Sequence, residues 1–275
     1  MIRIVSLILT VMLTACGGQL NVENFYNSTI DRDFFENSGK YIIHKGKPEL
    51  YYIDSQDILA LRAEQFEYGY SMLGMASFSV ANRDIEQSVL AYGEKIGAAR
   101  IIYFKEYTHT KSGTFSIITP TSQTSYSSGT VMGSGYMGTY SGSTTVYGTQ
   151  TTEVPYSRDI YDYDVLFFVK NSPGGWGLAF ATPTVDTRAR NGRNAGVEVV
   201  AIKGGGAAFN ADIIIGDLVV QVGPYLIQGM DDFYRYSSMF FGKEVDVKVV
   251  RDGQELVKSV HVGLDPARGN AVLSH

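Results

Sequence analysis

From Lys111 to Pro155 the chain is a tract of Ser, Thr, Gly and Tyr with almost no charge and few aliphatic residues. So little apolar surface does not offset the entropy of ordering such a segment, which favours disorder. Two readings stay open. One is a flexible loop. The other is a long hairpin, because Thr and Tyr favour strands and Gly133 to Gly142 offers turn sites. The expectation is an insertion (111–155) with partial strand character inside another domain, and in either form a surface available for interaction.

The first sixteen residues constrain location. Arg3 is a short basic segment, Ile4 to Met12 is apolar, and Leu13-Thr14-Ala15-Cys16 ends on the single cysteine of the chain. The apolar run is about half of what a helix needs to cross a bilayer, so it reads as a cleaved signal. A lone cysteine in an exported chain forms no internal disulfide and needs another purpose. The segment resembles the lipobox of bacterial lipoproteins, which implies a signal peptide over 1–15, an acylated Cys16 and a lipid anchor. Gly17, with no Asp after the cysteine, implies outer-membrane sorting in that family. Residues 16–38, without periodicity, are expected to be a tether.

The formal net charge is −5 and charged residues are 19% of the chain, so no basic field exists to attract nucleic acid. The four histidines (His44, His109, His261, His275) have no metal-ligand spacing. Neither a metal nor another cofactor is expected.

Residues 39–170 read as a small α/β domain carrying the insertion. Tyr41–His44 and Leu50–Ile53 are expected to pair as a hairpin around Lys45-Gly46-Lys47-Pro48. Asp54 or Ser55 is the expected cap of a helix over Gln56–Phe66, with Ile58, Leu61 and Gln65 three or four apart. Tyr68–Val80 reads as a strand. Asn82 stands as an N-cap, Asp84 and Glu86 fall in a first turn, Ile85, Val89, Tyr92 and Ile96 form one stripe, and Gly97 stops the helix. Arg100–Glu106 is the next strand, so Tyr68–Tyr107 has the pattern of a βαβ unit. Asp159–Lys170 alternates as a half-buried strand, and Asn171-Ser172-Pro173-Gly174-Gly175 breaks the chain before a second domain.

In that second domain (174–265), Val245, Val247 and Val249 alternate with Asp246 and Lys248. Arg251-Asp252-Gly253-Gln254 supplies a turn, and Leu256–Val262 alternates again. Met230–Phe241 is a helix candidate. Around these lie Gly175-Trp176-Gly177-Leu178-Ala179-Phe180, Gly196 to Ile202, Gly205-Gly206-Ala207-Ala208 and Ile215 to Val222. In order and spacing these blocks resemble a PDZ domain of the bacterial HtrA/DegP type. The overall fold class expected is therefore α+β, with a C-terminal β-barrel-like PDZ module.

The resemblance implies binding by strand addition, a peptide pairing with the strand after the carboxylate loop. Its implied peptide site is Gly177, Leu178, Ala179 and Phe180 on one wall, and Met230, Tyr234 and Ser237 on the helix opposite, with Phe233 in the core. Gly204-Gly205-Gly206-Ala207 and Asp212 depart from the family pattern; Asp tolerates a left-handed backbone, so the turn survives. Ala181–Asn194, with Arg188, Arg190 and Arg193, reads as a solvated loop or as a recognition element for acidic residues of a bound peptide.

Other signals carry less. Gly133-Ser134-Gly135-Tyr136-Met137-Gly138 matches a dinucleotide fingerprint but follows no apolar strand and opens no helix. No serine-nucleophile motif accompanies the PDZ-like blocks, and no enzymatic activity is expected. Three functions stand: a lipid-anchored envelope protein that captures C-terminal or extended segments of periplasmic and outer-membrane proteins, an assembly component using the same fold as a fixed docking surface, and, against the expectation of no activity, a hydrolase with an unrecognised site in the first domain.

Overall fold

The structure, a computed structural model, describes residues 20–54, 57–81 and 84–269. The signal segment, Cys16 and the expected caps Ser55 and Asn82 lie outside those residues. The described chain is α+β, and its strands form two open sheets.

Residues from Leu20 onward are folded and are not the tether expected up to residue 38. Leu20 and Val22 are buried, β1 (Tyr26–Ser28) pairs antiparallel with a later strand, and α1 (Arg32–Asn37) is capped by Asp31 and buries Phe35. Polar spacing hides this because each apolar side chain finds its partner far along the chain. The Tyr26 ring, for example, covers Gly74, where a Cβ would lie 2.4 Å from its hydroxyl.

β2 (Tyr41–Ile42) and β3 (Glu49–Tyr52) do not form the expected hairpin. β2 pairs antiparallel with Lys170 and Asn171, and β3 pairs parallel with Arg100–Tyr103. The Lys45–Pro48 link carries the chain between two separate sheet positions instead of turning it back on itself. α2 (Ile58–Glu67) begins one residue after Asp57, whose carboxylate accepts the Leu59 amide at 2.8 Å. Leu61 and Gln65 are its buried side.

β4 (Tyr70–Ala81), α3 (Glu86–Ile96) and β5 (Arg100–Gly133) give the strand-helix-strand order expected, and Gly97 closes α3 in the left-handed region at φ 77°. The two strands are not neighbours. β6 (Tyr136–Asn171) lies between them in the order β1-β4-β6-β5-β3. β6 therefore sits in the middle of the sheet, and Val165 to Val169 are all buried, where alternation had suggested one wet face. Leu166 and Phe168 pack with Leu61 of α2, while Phe167 meets the Tyr92 ring of α3 edge-on at 5.7 Å. Both faces are covered, so period two disappears from the burial pattern.

The C-terminal strands follow: β7 (Leu178–Ala181), β8 (Val197–Ile202), β9 (Leu218–Val222), β10 (Tyr225–Leu226), β11 (Glu244–Arg251) and β12 (Gln254–His261). Between them lie α4 (Val185–Asn191), α5 (Ala207–Asn210) and α6 (Met230–Ser237). The order is β12-β11-β9-β8-β7. Asp252 and Gly253 both have positive φ, at 49° and 79°, as a two-residue hairpin turn needs. Val197, Val199, Val219, Val247, Val249 and Val260 line a core that also takes Trp176 and Phe233.

This sheet is open, not the barrel-like closure expected. Its approach to closure stops at two bonds outside the strands, Gly175 N to Leu264 O (2.9 Å) and Gly263 N to Gly175 O (3.0 Å). Asp217, fully buried, accepts Arg251 Nε at 2.8 Å and Arg251 Nη2 at 3.0 Å, and its second oxygen also takes the Ile214 amide. Asp212 does adopt the left-handed conformation, at φ 54°.

The described residues fall into two compact units. One takes the residues up to Phe78, Asp84–Lys105 and those from Tyr163 onward; within it α2 rests on β8, and Glu67 O accepts the Gly204 amide at 2.9 Å. The other takes Glu106–Asp162 with Ser79–Ala81 of β4. In it β5 and β6 run as one continuous antiparallel ribbon turning at Ser134-Gly135, with Gly135 at φ 80°. The strand reading of the low-complexity tract is the one the structure adopts.

Candidate functional site

Glycine decides the loop that precedes β7. Gly174, Gly175 and Gly177 have φ of 99°, 70° and 67°, and a Cβ on Gly177 would lie 3.0 Å from the Gly206 Cα. Only a residue without a side chain sits there without strain. The Trp176 carbonyl accepts the Ala208 amide at 3.0 Å, and the Gly177 carbonyl accepts the Lys203 amide at 2.8 Å. Trp176 itself is buried, its indole Nε1 donating to the Ser237 carbonyl at 3.1 Å and its ring tilted against Phe233.

These bonds use the carbonyls of the loop. The Gly175 amide is spent on Leu264, whereas the amides of Trp176 and Gly177 donate to no group among the described residues. Two successive free amides beside a left-handed glycine form a small nest suited to an anion.

β7 continues from this loop and ends the sheet. Among the described residues it pairs only with β8, in the register Leu178 with Ile202 and Ala181 with Glu198, with an irregularity after Ala179. Its outer edge therefore carries backbone groups that a further strand can meet. Leu178 and Phe180 pack against the C-terminal core; Ala179 and Ala181 alternate with them.

Opposite stands α6. Met230 packs partly buried on the core, Phe233 is buried, and Tyr234 is 56% exposed. Ser237 is turned inward, 7% exposed, and its contribution is the main-chain carbonyl that holds Trp176. The Phe180 ring lies 4.2 Å from that of Phe233 and 5.3 Å from that of Tyr234. Tyr234 thus spans the groove to β7. Burial chiefly, with the neighbouring Tyr234 phenol, raises the Tyr41 phenol above its ordinary pKa.

The basic stretch after β7 is no solvated loop. Thr184 caps α4, Glu198 accepts Thr187 Oγ1 at 2.6 Å and the Thr184 amide at 2.9 Å, and Arg193 pairs with Glu255.

Two open clefts lie elsewhere. One of about 430 Å³ is lined by Lys47, Tyr52, Glu86 and Tyr103, and there burial, aided by the hydrogen bond to Glu86, pushes Tyr103 up to about 12. The other, about 470 Å³, lies over β9, β11 and β12. Strand addition beside β7 requires an edge and not a cavity. Among the described residues no cluster of three acidic, His or Cys side chains is placed to hold a metal, and no helix is long and apolar enough to cross a membrane.

No family model and no curated protein matches the chain. Among solved structures it is similar to the HtrA-type protease AlgW with decapeptide, at 17% identity and a TM-score of 0.30, over 36% of this chain and 37% of that one. The likeness thus spans little more than a third of that protein's length.

Proposed function

We propose that this chain is a lipid-anchored protein of the cell envelope whose C-terminal domain binds C-terminal or extended peptide segments of periplasmic and outer-membrane proteins. The observation that carries the reading is the open edge of β7 starting at a glycine loop with two uncommitted amides. A peptide adds as a strand beside Leu178–Ala181, and its terminal carboxylate meets the Trp176 and Gly177 amides. Leu178 and Phe180 offer the peptide an apolar floor. Anchoring through Cys16 and residence at the outer membrane belong to the same proposal and rest on the signal segment alone. The reading assigns no catalytic group and no cofactor.

One observation favours the second reading, a fixed docking or assembly surface. Tyr234 lies against Phe180 and narrows the groove. A peptide must displace it; because Tyr234 is mostly exposed, the displacement forfeits one aromatic contact, about 0.5–1.5 kcal/mol.

Titration of the full chain with a fluorescent apolar peptide carrying a free C-terminus, and with its amidated form, tests the proposal. Saturable binding that weakens at least about tenfold on amidation supports carboxylate capture, and Tyr234→Ala should strengthen it about two- to tenfold. Absence of binding to either peptide at submillimolar concentration leaves the docking reading.

A further inference from the structure

The β5–β6 ribbon keeps one register over most of its length. Thr110 bonds to Asp159, Ser112 to Ser157, Ser116 to Glu153 and Thr124 to Thr145, so each step up one strand is a step down the other. Side chains meet this closely at the non-hydrogen-bonded pairs of an antiparallel ladder, where both amides point away from the partner strand. Pro120 and Pro155, which have no N–H, fall on the same alternate positions. The outward amides of the ribbon are therefore those of even-numbered residues in β5 and odd-numbered residues in β6.

Between Pro120 and Glu153 nothing blunts these edges. Residues 112–152 contain no charged side chain, and the stretches Thr121–Gly133 and Tyr136–Val154 contain no proline. Beyond their mutual ladder neither stretch has a neighbouring strand among the described residues. Nor does the ribbon bury a core. From Glu106 to Asp162 no residue is buried, and Tyr126, Met132 and Tyr147 are 84%, 76% and 81% exposed. A two-stranded ribbon exposed on both faces is marginal by itself and is stabilised by further strands.

We propose that this ribbon is a self-association element, in which the outer edge of β6 between Tyr136 and Thr152 pairs with the ribbon of a second copy of this chain. An uncharged edge gives a charged partner no counter-charge, while an identical edge meets no repulsion, and charge is the usual device against such pairing. The dimensions suffice. Seventeen residues at about 3.3 Å extend about 56 Å, and a sheet about 10 Å thick then hides about 560 Å² per copy, about 1,100 Å² in total, above the roughly 1,000 Å² that a specific interface needs.

Light scattering and sedimentation of the full chain in detergent test this. The expected result is a dimer or higher multiple that persists unchanged from about 50 to about 500 mM salt, since no ion pair contributes. Ser143→Pro with Thr149→Pro removes two outward amides and spares the internal ladder. It should reduce the particle to a monomer with an unchanged circular dichroism spectrum. Ser143→Lys with Thr149→Lys, which leaves every backbone donor in place, should do the same by charge repulsion. A wild-type chain that stays monomeric at tens of micromolar overturns the proposal. So does a multimer that survives the lysine pair, because association then runs through another surface.

Discussion

Gly175 and Gly177 form a matched pair for testing the carboxylate loop. Both have left-handed backbones, at φ 70° and 67°, so replacing either by Ala introduces strain of about 1–2 kcal/mol, partly offset by about 0.4–1 kcal/mol of lost unfolded-state freedom. Their surroundings differ. A Cβ on Gly175 would meet nothing nearer than Pro266 Cδ at 3.7 Å, an ordinary contact, whereas on Gly177 it would press on backbone, 3.0 Å from Gly206 Cα and 3.3 Å from the Ala207 nitrogen. Backbone cannot give way as a side chain does, and the overpacking adds about 1 kcal/mol or more. Gly175→Ala should therefore lower the unfolding free energy by about 1 kcal/mol and Gly177→Ala by about 2, read from denaturant midpoints at constant m-value. The amides differ too. That of Gly175 is bound to Leu264 and that of Gly177 has no partner among the described residues; alanine keeps the N–H, but the backbone clash at 177 displaces it, so Gly177→Ala should weaken a free-carboxylate peptide about tenfold and Gly175→Ala should leave its affinity within about twofold. Equal effects of the two substitutions on both stability and binding would refute the assignment of the loop amides.

Three further outcomes follow from the same structure. Removing the buried Asp217 carboxylate leaves Arg251, 25% exposed, facing an unpaired site, so Asp217→Ala should cost about 3 kcal/mol; a double-mutant cycle with Arg251→Met should give a coupling of at least about 1 kcal/mol. Tyr92 and Tyr103 are both pushed up to about 12, chiefly by burial, while the unfolded chain ionises near 10. The folded state then holds protons that the unfolded state has released, so stability should fall between pH 10 and 12. Spectroscopic titration should find phenols ionising only toward the top of that range. Cys16→Ala should move the protein from the membrane to the soluble fraction on cell fractionation, and persistent membrane association would contradict lipid anchoring.

What the sequence disclosed was mostly local. Asp252-Gly253 reads as a hairpin turn because few residue pairs accept two positive φ values in succession, and Gly97 reads as a helix end for the same reason. Leu61 and Gln65 were legible by spacing alone. Long-range pairing was not: Tyr41 joins Asn171 and Glu49 joins Arg100 across more than fifty residues, and nothing local distinguishes those partners from each other. Placement of β6 between β4 and β5 had the same origin, and it erased the alternation expected over Val165–Val169. At the site, the glycine positions were readable because a backbone requirement leaves a residue-type signature. Tyr234 faces the groove as the resemblance implied, whereas the inward turn of Ser237 depends on helix rotation about its axis, which Met230-Asp231-Asp232-Phe233 does not specify.

The ribbon shows where local and global signals part company most sharply. Its Thr and Tyr residues favour strands, and Tyr140 and Tyr156 lie over Gly129 and Gly113 on the opposite strand, covering backbone that glycine leaves bare. Those contacts fix register without burying a core. A sequence can therefore specify a ribbon's pairing fully while leaving its stability to what lies beyond its edges. That separation predicts a distinct signature in hydrogen exchange. If the edges are unpaired, even-numbered amides of Thr121–Gly133 and odd-numbered amides of Tyr136–Val154 exchange fastest in the ribbon. If copies associate, protection of the β6 set should rise with protein concentration, while Val165–Val169, buried on both faces, should show no such dependence. Concentration-independent exchange throughout Tyr136–Val154 would mean that the ribbon stands alone.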